Sequence, residues 1–189
     1  MRGVSHIIMN TATAGTIGCT LYFMFRNNTI AFLHGAADAS IEFLFDGHFF
    51  NGDKILFIYF PAVVLLYLLG SVLPDIDHPH SAIGKIIHIP IKHRTWLHAI
   101  YIPLILFIVS IWFRPVFYLG IGYFFHIFWD MFSATGIDWF YPKKNKHHIL
   151  KLYKTSQLSE GVFVGISVTL SVLYCVFLLF AAPSLYIVY

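Results

Sequence analysis

Histidine and aspartate recur in this chain in short patterns that suit metal binding. The segment Leu73–Ser81 reads L-P-D-I-D-H-P-H-S, so two carboxylates two residues apart are followed directly by an imidazole. Pro74 and Pro79 favour a rigid, extended backbone, in which Asp75 and Asp77 would point the same way. Carboxylate oxygen beside imidazole nitrogen suits zinc, manganese or iron. For an isolated D-x-D motif, a polar turn that caps the next segment is the alternative.

Two further patterns follow. In the stretch H-R-T-W-L-H-A, His93 lies before a predicted helix and His98 inside it, so both can face one site. Arg94 between them could pair with a carboxylate or hold a substrate phosphate. His126 and Asp130 are four residues apart on one helix face, where both can reach one metal or the aspartate can bridge two. The alternatives are an interfacial anchor for the first pattern and a structural His–Asp hydrogen bond for the second.

The composition places these motifs in a membrane protein. Of 189 residues, 58% are hydrophobic and 11% are charged, whereas a soluble domain has about 45–50% apolar and about 25% charged residues. Twenty Phe and eleven Tyr are too many to bury in a core of this size. Soluble globular, disordered and nucleic-acid-binding proteins are therefore excluded. Cys19 and Cys175 lie far apart in apolar runs, so neither a disulfide framework nor a cysteine zinc site is predicted.

The apolar runs predict an all-α, integral membrane bundle of about five transmembrane helices, forming one membrane domain over residues 1–189. The runs are Val4–Phe25, Ile55–Leu73, Trp96–Phe113, Pro115–Ser133 and Val162–Ala182. Arg114 and Pro115 separate the third run from the fourth as a hairpin. We expect the first run to be retained, because it ends in Phe and Arg instead of a small-residue cleavage site. A short interfacial helix is predicted over Ala36–Phe45.

The cations report the orientation of these spans. Nine Lys and Arg residues fall on one side: Arg2, Lys85, Lys92, Arg94, Lys143, Lys144, Lys146, Lys151 and Lys154. Three fall on the other side: Arg26, Lys54 and Arg114. The positive-inside rule makes the first side cytoplasmic, with the amino terminus inside and the carboxyl terminus outside.

The same partition gathers the histidines and aspartates at the cytoplasmic end, where four spans each contribute. Helix bundles build metal sites from inward-facing side chains on several helices. The predicted metal ligands are His6, Asp75, Asp77, His93, His98, His126 and Asp130. His34 and His48 fall on the opposite side of the membrane.

The order of the motifs is similar to that of a known family. The chain resembles the YdjM-like family in the order of its motifs: an early His, then L-P-D-I-D-H-P-x-S, then H-R-x-x-x-H, and then H-x-x-x-D followed by a Gly and a W-x-x-P-like stretch. These bacterial inner-membrane proteins are described as metal-dependent hydrolases, and some belong to the LexA-controlled DNA-damage response. The resemblance covers residues 1–142, and the last span, 162–182, carries no motif. The family's usual H-R-G-x-T-H-S is replaced here at Thr95, Leu97 and Ala99.

A more distant likeness, in pattern only, is to the helical zinc phospholipase C and P1 nuclease group, whose clustered zinc ions cleave phosphodiesters. Together these features predict a metal-dependent hydrolase at the cytoplasmic face of the bacterial inner membrane. It would act on a phosphoester. Because the protein would be in contact with membrane lipid, a lipid headgroup is the natural substrate. Zinc is the favoured ion, with manganese or iron as alternatives.

Three residues have predicted catalytic roles. Asp77 or His78 would shuttle a proton, and Arg94 would hold the phosphate. Two other functions are compatible with the same residues. One is a metal-binding membrane protein or transporter with an ion path, and the other is a non-catalytic membrane adaptor with a structural polar cluster.

Overall fold

The computed structural model describes residues 3–26, 53–81, 83–143 and 150–184, and these residues form helices and turns without a β-strand. The α-helices are α1 (Gly3–Arg26), α2 (Asp53–Val72), α3 (Tyr101–Val109), α4 (Pro115–Asp130) and α5 (Leu158–Ser184). Two 3-10 turns, Leu73–Asp77 and Trp96–His98, follow α2 and precede α3. The all-α prediction is confirmed for this part of the chain. The predicted interfacial helix over Ala36–Phe45 lies outside the described residues.

Three of the predicted spans correspond to long helices. The runs beginning at Val4, Ile55 and Val162 are found in α1, α2 and α5. Among the described residues, the segment Leu158–Leu178 of α5 is the one that is long and apolar enough to cross a membrane.

The predicted hairpin is present, but its helices are shorter than expected. Helix α3 has nine residues and α4 has 16, which correspond to about 14 Å and about 24 Å against a hydrocarbon core of about 30 Å. The prediction of one continuous helix over Trp96–Phe113 is wrong at its start, because residues 96–98 form a 3-10 turn that carries His98 into the interior. Pro115 then begins α4, at a position where its missing N–H costs no hydrogen bond.

Helices α2 and α4 cross at two glycines. A Cβ atom on Gly70 would lie 2.1 Å from the carbonyl oxygen of Leu119, and one on Gly122 would lie 2.1 Å from that of Tyr67. Asn10 of α1 joins the crossing, since its Nδ2 donates to the Gly122 carbonyl at 3.1 Å and its own carbonyl accepts from the Tyr67 hydroxyl at 2.6 Å. Small residues permit such close helix contacts in membranes. The crossing joins α1 and α4, which carry three of the seven predicted ligands, to α2, which is followed directly by the turn that contains Asp75 and Asp77.

Two apolar clusters fix the loops around these helices. One is centred on Tyr123, Ile127 and Ile137, and the other on Met9, Tyr153 and Val164. The Tyr153 hydroxyl donates to the Trp129 carbonyl at 3.0 Å, and the Ile100 amide donates to the Trp139 carbonyl at 3.0 Å. The segments after α4 and before α3 are thereby tied to the helices they flank.

The chain divides into two compact units. One comprises Met1–Thr11 with Val63–Val168, and the other comprises Ala12–Ala62 with Thr169–Tyr189. The first unit contains all seven predicted metal ligands. In the second unit, the hydroxyls of Thr20 and Tyr174 are hydrogen-bonded at 3.1 Å. The single membrane domain over residues 1–189 stays a prediction.

Candidate metal centre

Histidine and aspartate side chains from separate elements meet in one buried group, which we call the polar cluster. His6 comes from α1, Asp75 from the turn after α2, and His98 from the turn before α3, while His126 and Asp130 come from α4. All five are at most 3% exposed. Ionisable groups buried to this extent require compensation by charge or by metal coordination. The remaining members of the cluster are Asp77 and His93.

The distances within the cluster suit ligands of an ion. His6 Nε2 is 3.4 Å from Asp130 Oδ1, and His126 Nε2 is 3.4 Å from Asp75 Oδ1. His98 Nε2 is 3.6 Å from Asp130 Oδ2 and 3.7 Å from Asp75 Oδ1. Hydrogen bonds of this type are shorter, about 2.7–3.2 Å. Two ligand atoms about 2.1 Å from one zinc ion at a tetrahedral angle are about 3.4 Å apart, so the spacing fits shared coordination.

Several buried atoms of the cluster also have no hydrogen-bond partner among the described residues. These atoms are both ring nitrogens of His6 and of His98, Nε2 of His126 and Oδ2 of Asp77. Folded proteins satisfy nearly all buried polar atoms. A cation would satisfy the imidazole nitrogens that face the carboxylates, so the residues present fit a divalent metal ion.

The orientation of His126 supports this fit. Its Nδ1 lies 2.7 Å from the carbonyl oxygen of Ser71. Because a carbonyl only accepts, the ring proton is on Nδ1, and Nε2 presents its lone pair towards Asp75. Metal-binding histidines are commonly oriented by such a hydrogen bond from the other ring nitrogen.

Three overlapping groups in the cluster could each hold a metal ion, because one ligand atom from each residue lies within 4.8 Å of the others. The groups are His6–Asp75–His126, Asp75–His93–His98 and His98–His126–Asp130. Their shared members make them parts of one centre. Six of the seven predicted ligands are thus brought together.

The seventh predicted ligand, Asp77, belongs to none of these groups. Its Oδ1 lies 2.7 Å from Nδ1 of His93, and its Oδ2 lies 3.7 Å from Nδ1 of His98. Asp77 is therefore placed to orient the ring of His93, which leaves Nε2 of His93 available to a metal ion.

His78 lies at the edge of the cluster, with its ring centre 4.9 Å from that of His93. Its Nδ1 accepts a hydrogen bond from the backbone amide of His80 at 3.2 Å. Partial burial, and then the neighbouring His93, lower the pKa of His78 below its usual value. This shift favours the neutral ring, whose free nitrogen can accept a proton.

Arg94 contacts the cluster through Asp130. Its Nη2 donates to Asp130 Oδ1 at 3.1 Å. The backbone of Arg94 has φ 62°, a left-handed conformation that is unfavourable for a residue with a Cβ atom. Further acceptors surround the two terminal nitrogens of Arg94: Ser133, Thr135, Gly136 and Thr155. The phosphate-binding role stays a prediction, while the contacts shown are with the protein itself.

Hydroxyl side chains contact the backbone of the candidate ligands from outside, a role that residue type and spacing did not predict. Ser81 Oγ donates to the Asp75 carbonyl at 2.7 Å, and Ser133 Oγ donates to the Asp130 carbonyl at 2.7 Å. Thr95, which departs from the family pattern, is buried and donates to the Lys92 carbonyl. Serine and threonine are too common for type and spacing alone to identify such positions.

Comparison with known proteins agrees with the motifs. A family model described as YdjM inner membrane protein matches residues 1–188, which confirms the predicted resemblance. The chain is also 26% identical over 144 residues to "Uncharacterized protein YvsG" of Bacillus subtilis (strain 168), covering 70% of this chain and 86% of that protein. No solved structure matches the chain. Since the family model spans nearly the whole sequence, the chain belongs to the YdjM family of inner membrane proteins.

Proposed function

We propose that this protein is a membrane-embedded, metal-dependent hydrolase that cleaves phosphoesters at the cytoplasmic face of the inner membrane. The observation that carries the proposal is the buried polar cluster, in which imidazole nitrogens and carboxylate oxygens lie 3.4–3.7 Å apart. This donor set suits zinc, or alternatively manganese or iron. A bound divalent ion would supply a Lewis acid and would activate water near neutral pH.

The overlapping groups suggest how the ligands are divided. His6 and His126 would hold one ion, and His93 and His98 a second. Asp75 belongs to both of these groups and is therefore the carboxylate best suited to be shared. Asp130 is the residue that the sequence offered as a bridge between two metals, but its Oδ1 is paired with Nη2 of Arg94.

The residues around the ligands have distinct tasks in the proposed reaction. The oxygen of water bonds to phosphorus, the ester P–O bond breaks, and the leaving alcohol takes up a proton. His78 accepts the proton of the attacking water and can return it to the alcohol. Arg94 positions Asp130, and Asp77 positions His93.

We further propose that the chain crosses the membrane several times with its amino terminus in the cytoplasm. The nine-to-three distribution of Lys and Arg supports this orientation, and the apolar residues exposed along α3 and α5 support contact with lipid. Reporter fusions should place Lys146 in the cytoplasm and Tyr189 outside, two positions that lie beyond the described residues. A periplasmic Lys146 would contradict the orientation.

Elemental analysis of the full-length protein, purified in detergent, tests the function. We expect one or two equivalents of a divalent metal, phosphoester hydrolysis that chelation abolishes, and recovery when the metal is restored. Folded protein without metal would instead support a membrane adaptor. Metal uptake into proteoliposomes without hydrolysis would support a transporter. Either result would reject the hydrolase.

A further inference from the structure

A cavity of about 350 Å³ lies beside the polar cluster. His93 and Arg94 line it and also contact the cluster, through Asp77 and Asp130 respectively. Small-molecule sites typically have volumes of about 300–1,000 Å³, so this cavity is at the small end of the range. It has room for a compact polar group next to the candidate metal centre.

Asp138 lines the same cavity and was not among the residues predicted from the sequence. It is 8% exposed, and its Oδ1 is buried with no hydrogen-bond partner in the part of the chain that the structure describes. Buried carboxylate oxygens are nearly always hydrogen-bonded. Because Asp138 lines the cavity, a ligand that brings a hydrogen-bond donor into it would give this carboxyl group a partner.

Positive charge lines the cavity as well. Lys92, whose side chain is exposed, contributes an ammonium group, and Thr135 contributes a hydroxyl. An ammonium group attracts phosphate as a point charge. The cavity therefore offers Lys92 and Thr135 to an anion and the Asp138 carboxylate to a hydrogen-bond donor. A substrate that carries both a phosphate and a donor group would match this lining.

We infer that this cavity binds the alcohol portion of the substrate, and that Asp138 selects alcohols that carry a hydroxyl or ammonium group. Glycerol-type and ethanolamine-type phosphoesters, the chemistry of phospholipid headgroups, share this property. The inference rests on the proposed phosphoester hydrolysis and assigns its substrate class. Asp138 is the specificity-determining residue, and Lys92 attracts the phosphate.

Three matched probes test the inference: methyl phosphate, glycerol 3-phosphate and ethanolamine phosphate, each used as the phosphonate in which a methylene replaces the ester oxygen, so that it cannot be hydrolysed. Their dissociation constants are measured by calorimetry on the metal-loaded, full-length protein in detergent. At least one of the two donor-bearing probes should bind the wild type about tenfold or more tightly than methyl phosphate, because hydrogen bonds to charged groups are strong. In Asp138→Leu this advantage should disappear, so that the three probes bind with similar dissociation constants.

Asp138→Asn separates the two kinds of donor. The amide keeps an acceptor oxygen, so selectivity for a hydroxyl should largely persist, whereas selectivity for an ammonium group should be lost with the charge. Lys92→Gln should weaken all three probes alike. The matched exposed lysine Lys85, which does not line the cavity, should tolerate the same change without effect.

The possible failures are distinguishable. If the wild type binds all three probes equally, or if Asp138→Leu keeps the selectivity, the inference is overturned and the hydrolase proposal stands. If no probe binds the metal-loaded wild type, the phosphoester function itself fails. Loss of bound metal in both Asp138 variants would show that Asp138 supports the polar cluster, which would also overturn the selectivity role.

Discussion

The hairpin formed by α3 and α4 has two contrasting ends. One is the carboxyl-terminal end of α4, and the other is the tip, residues 111–113, which lies between the two helices. At the end of α4, His126 and Asp130 are fully buried. At the tip, Ile111, Trp112 and Phe113 are 64%, 78% and 61% exposed. A soluble protein would bury the apolar residues and expose the ionisable ones. One end of the hairpin thus places charge in the interior, and the other presents apolar surface outward.

The difference indicates that the two ends of the hairpin lie in different surroundings. Exposed apolar side chains at the tip are favourable when the surrounding medium is lipid. Buried imidazoles and carboxylates are favourable when a cation compensates them. Under the proposed function, lipid contacts one end of the hairpin and a metal ion is bound at the other, so variants at the two ends should have separable effects.

The largest effect is expected at the buried end. His126→Gln and Asp130→Asn each keep a polar group of similar size but lose a metal ligand, so each should lower metal affinity more than about 100-fold, beyond the 10- to 100-fold typical of supporting residues. Hydrolysis should be abolished while the protein still inserts and extracts normally. Elemental analysis measures the effect, with the exposed His88→Gln as the control. Full metal content in both variants would reduce the polar cluster to a structural feature.

The next effect concerns the support of a ligand. Arg94→Lys removes the planar group that contacts Asp130 and four further acceptors, and lysine cannot reproduce this arrangement. We expect metal affinity to fall about 10- to 100-fold. Competition with a fluorescent chelator measures it. Unchanged metal affinity with an increased KM would instead assign Arg94 to the substrate phosphate, as the sequence predicted.

A smaller effect is expected where the helices cross. Gly122→Ala would place a Cβ atom 2.1 Å from the Tyr67 carbonyl oxygen, so α4 must shift away from α2, and overpacking of this kind costs about 1–3 kcal/mol. Metal content and thermal stability in detergent should both decrease. Gly165→Ala is the matched control, because the added Cβ would meet nothing within 4 Å. Equal behaviour of the two variants would show that the crossing does not position the ligands.

The smallest effect is expected at the exposed end. Trp112→Ser removes apolar surface at the tip of the hairpin, and α4 separates this tip from Asp130 by about 24 Å. Metal content and hydrolysis should therefore change by less than about twofold in the purified protein. A large loss of metal in Trp112→Ser would break the comparison, since it would show that the two ends are energetically coupled.

The helical class, the apolar surface and the residue types of the site follow from the amino-acid sequence alone. Period and composition decide these features because long apolar runs can satisfy their backbone only as helices in lipid. The motifs also contain the six residues that the structure gathers in groups able to hold a metal: His6, Asp75, His93, His98, His126 and Asp130. These features depend on the spacing of residues that are close in sequence or on the composition of the whole chain.

Which atoms meet depends instead on how the helices and turns pack against one another. The 3-10 turn at Trp96–His98, the orientation of His93 by Asp77, and the contact of Arg94 with Asp130 all depend on how distant segments pack. Asp138 shows the same limit, because one aspartate in a loop carries no distinguishing pattern until a cavity forms beside it. The physical reason is that burial and the direction of a side chain are set by long-range contacts, which residue type and spacing do not encode.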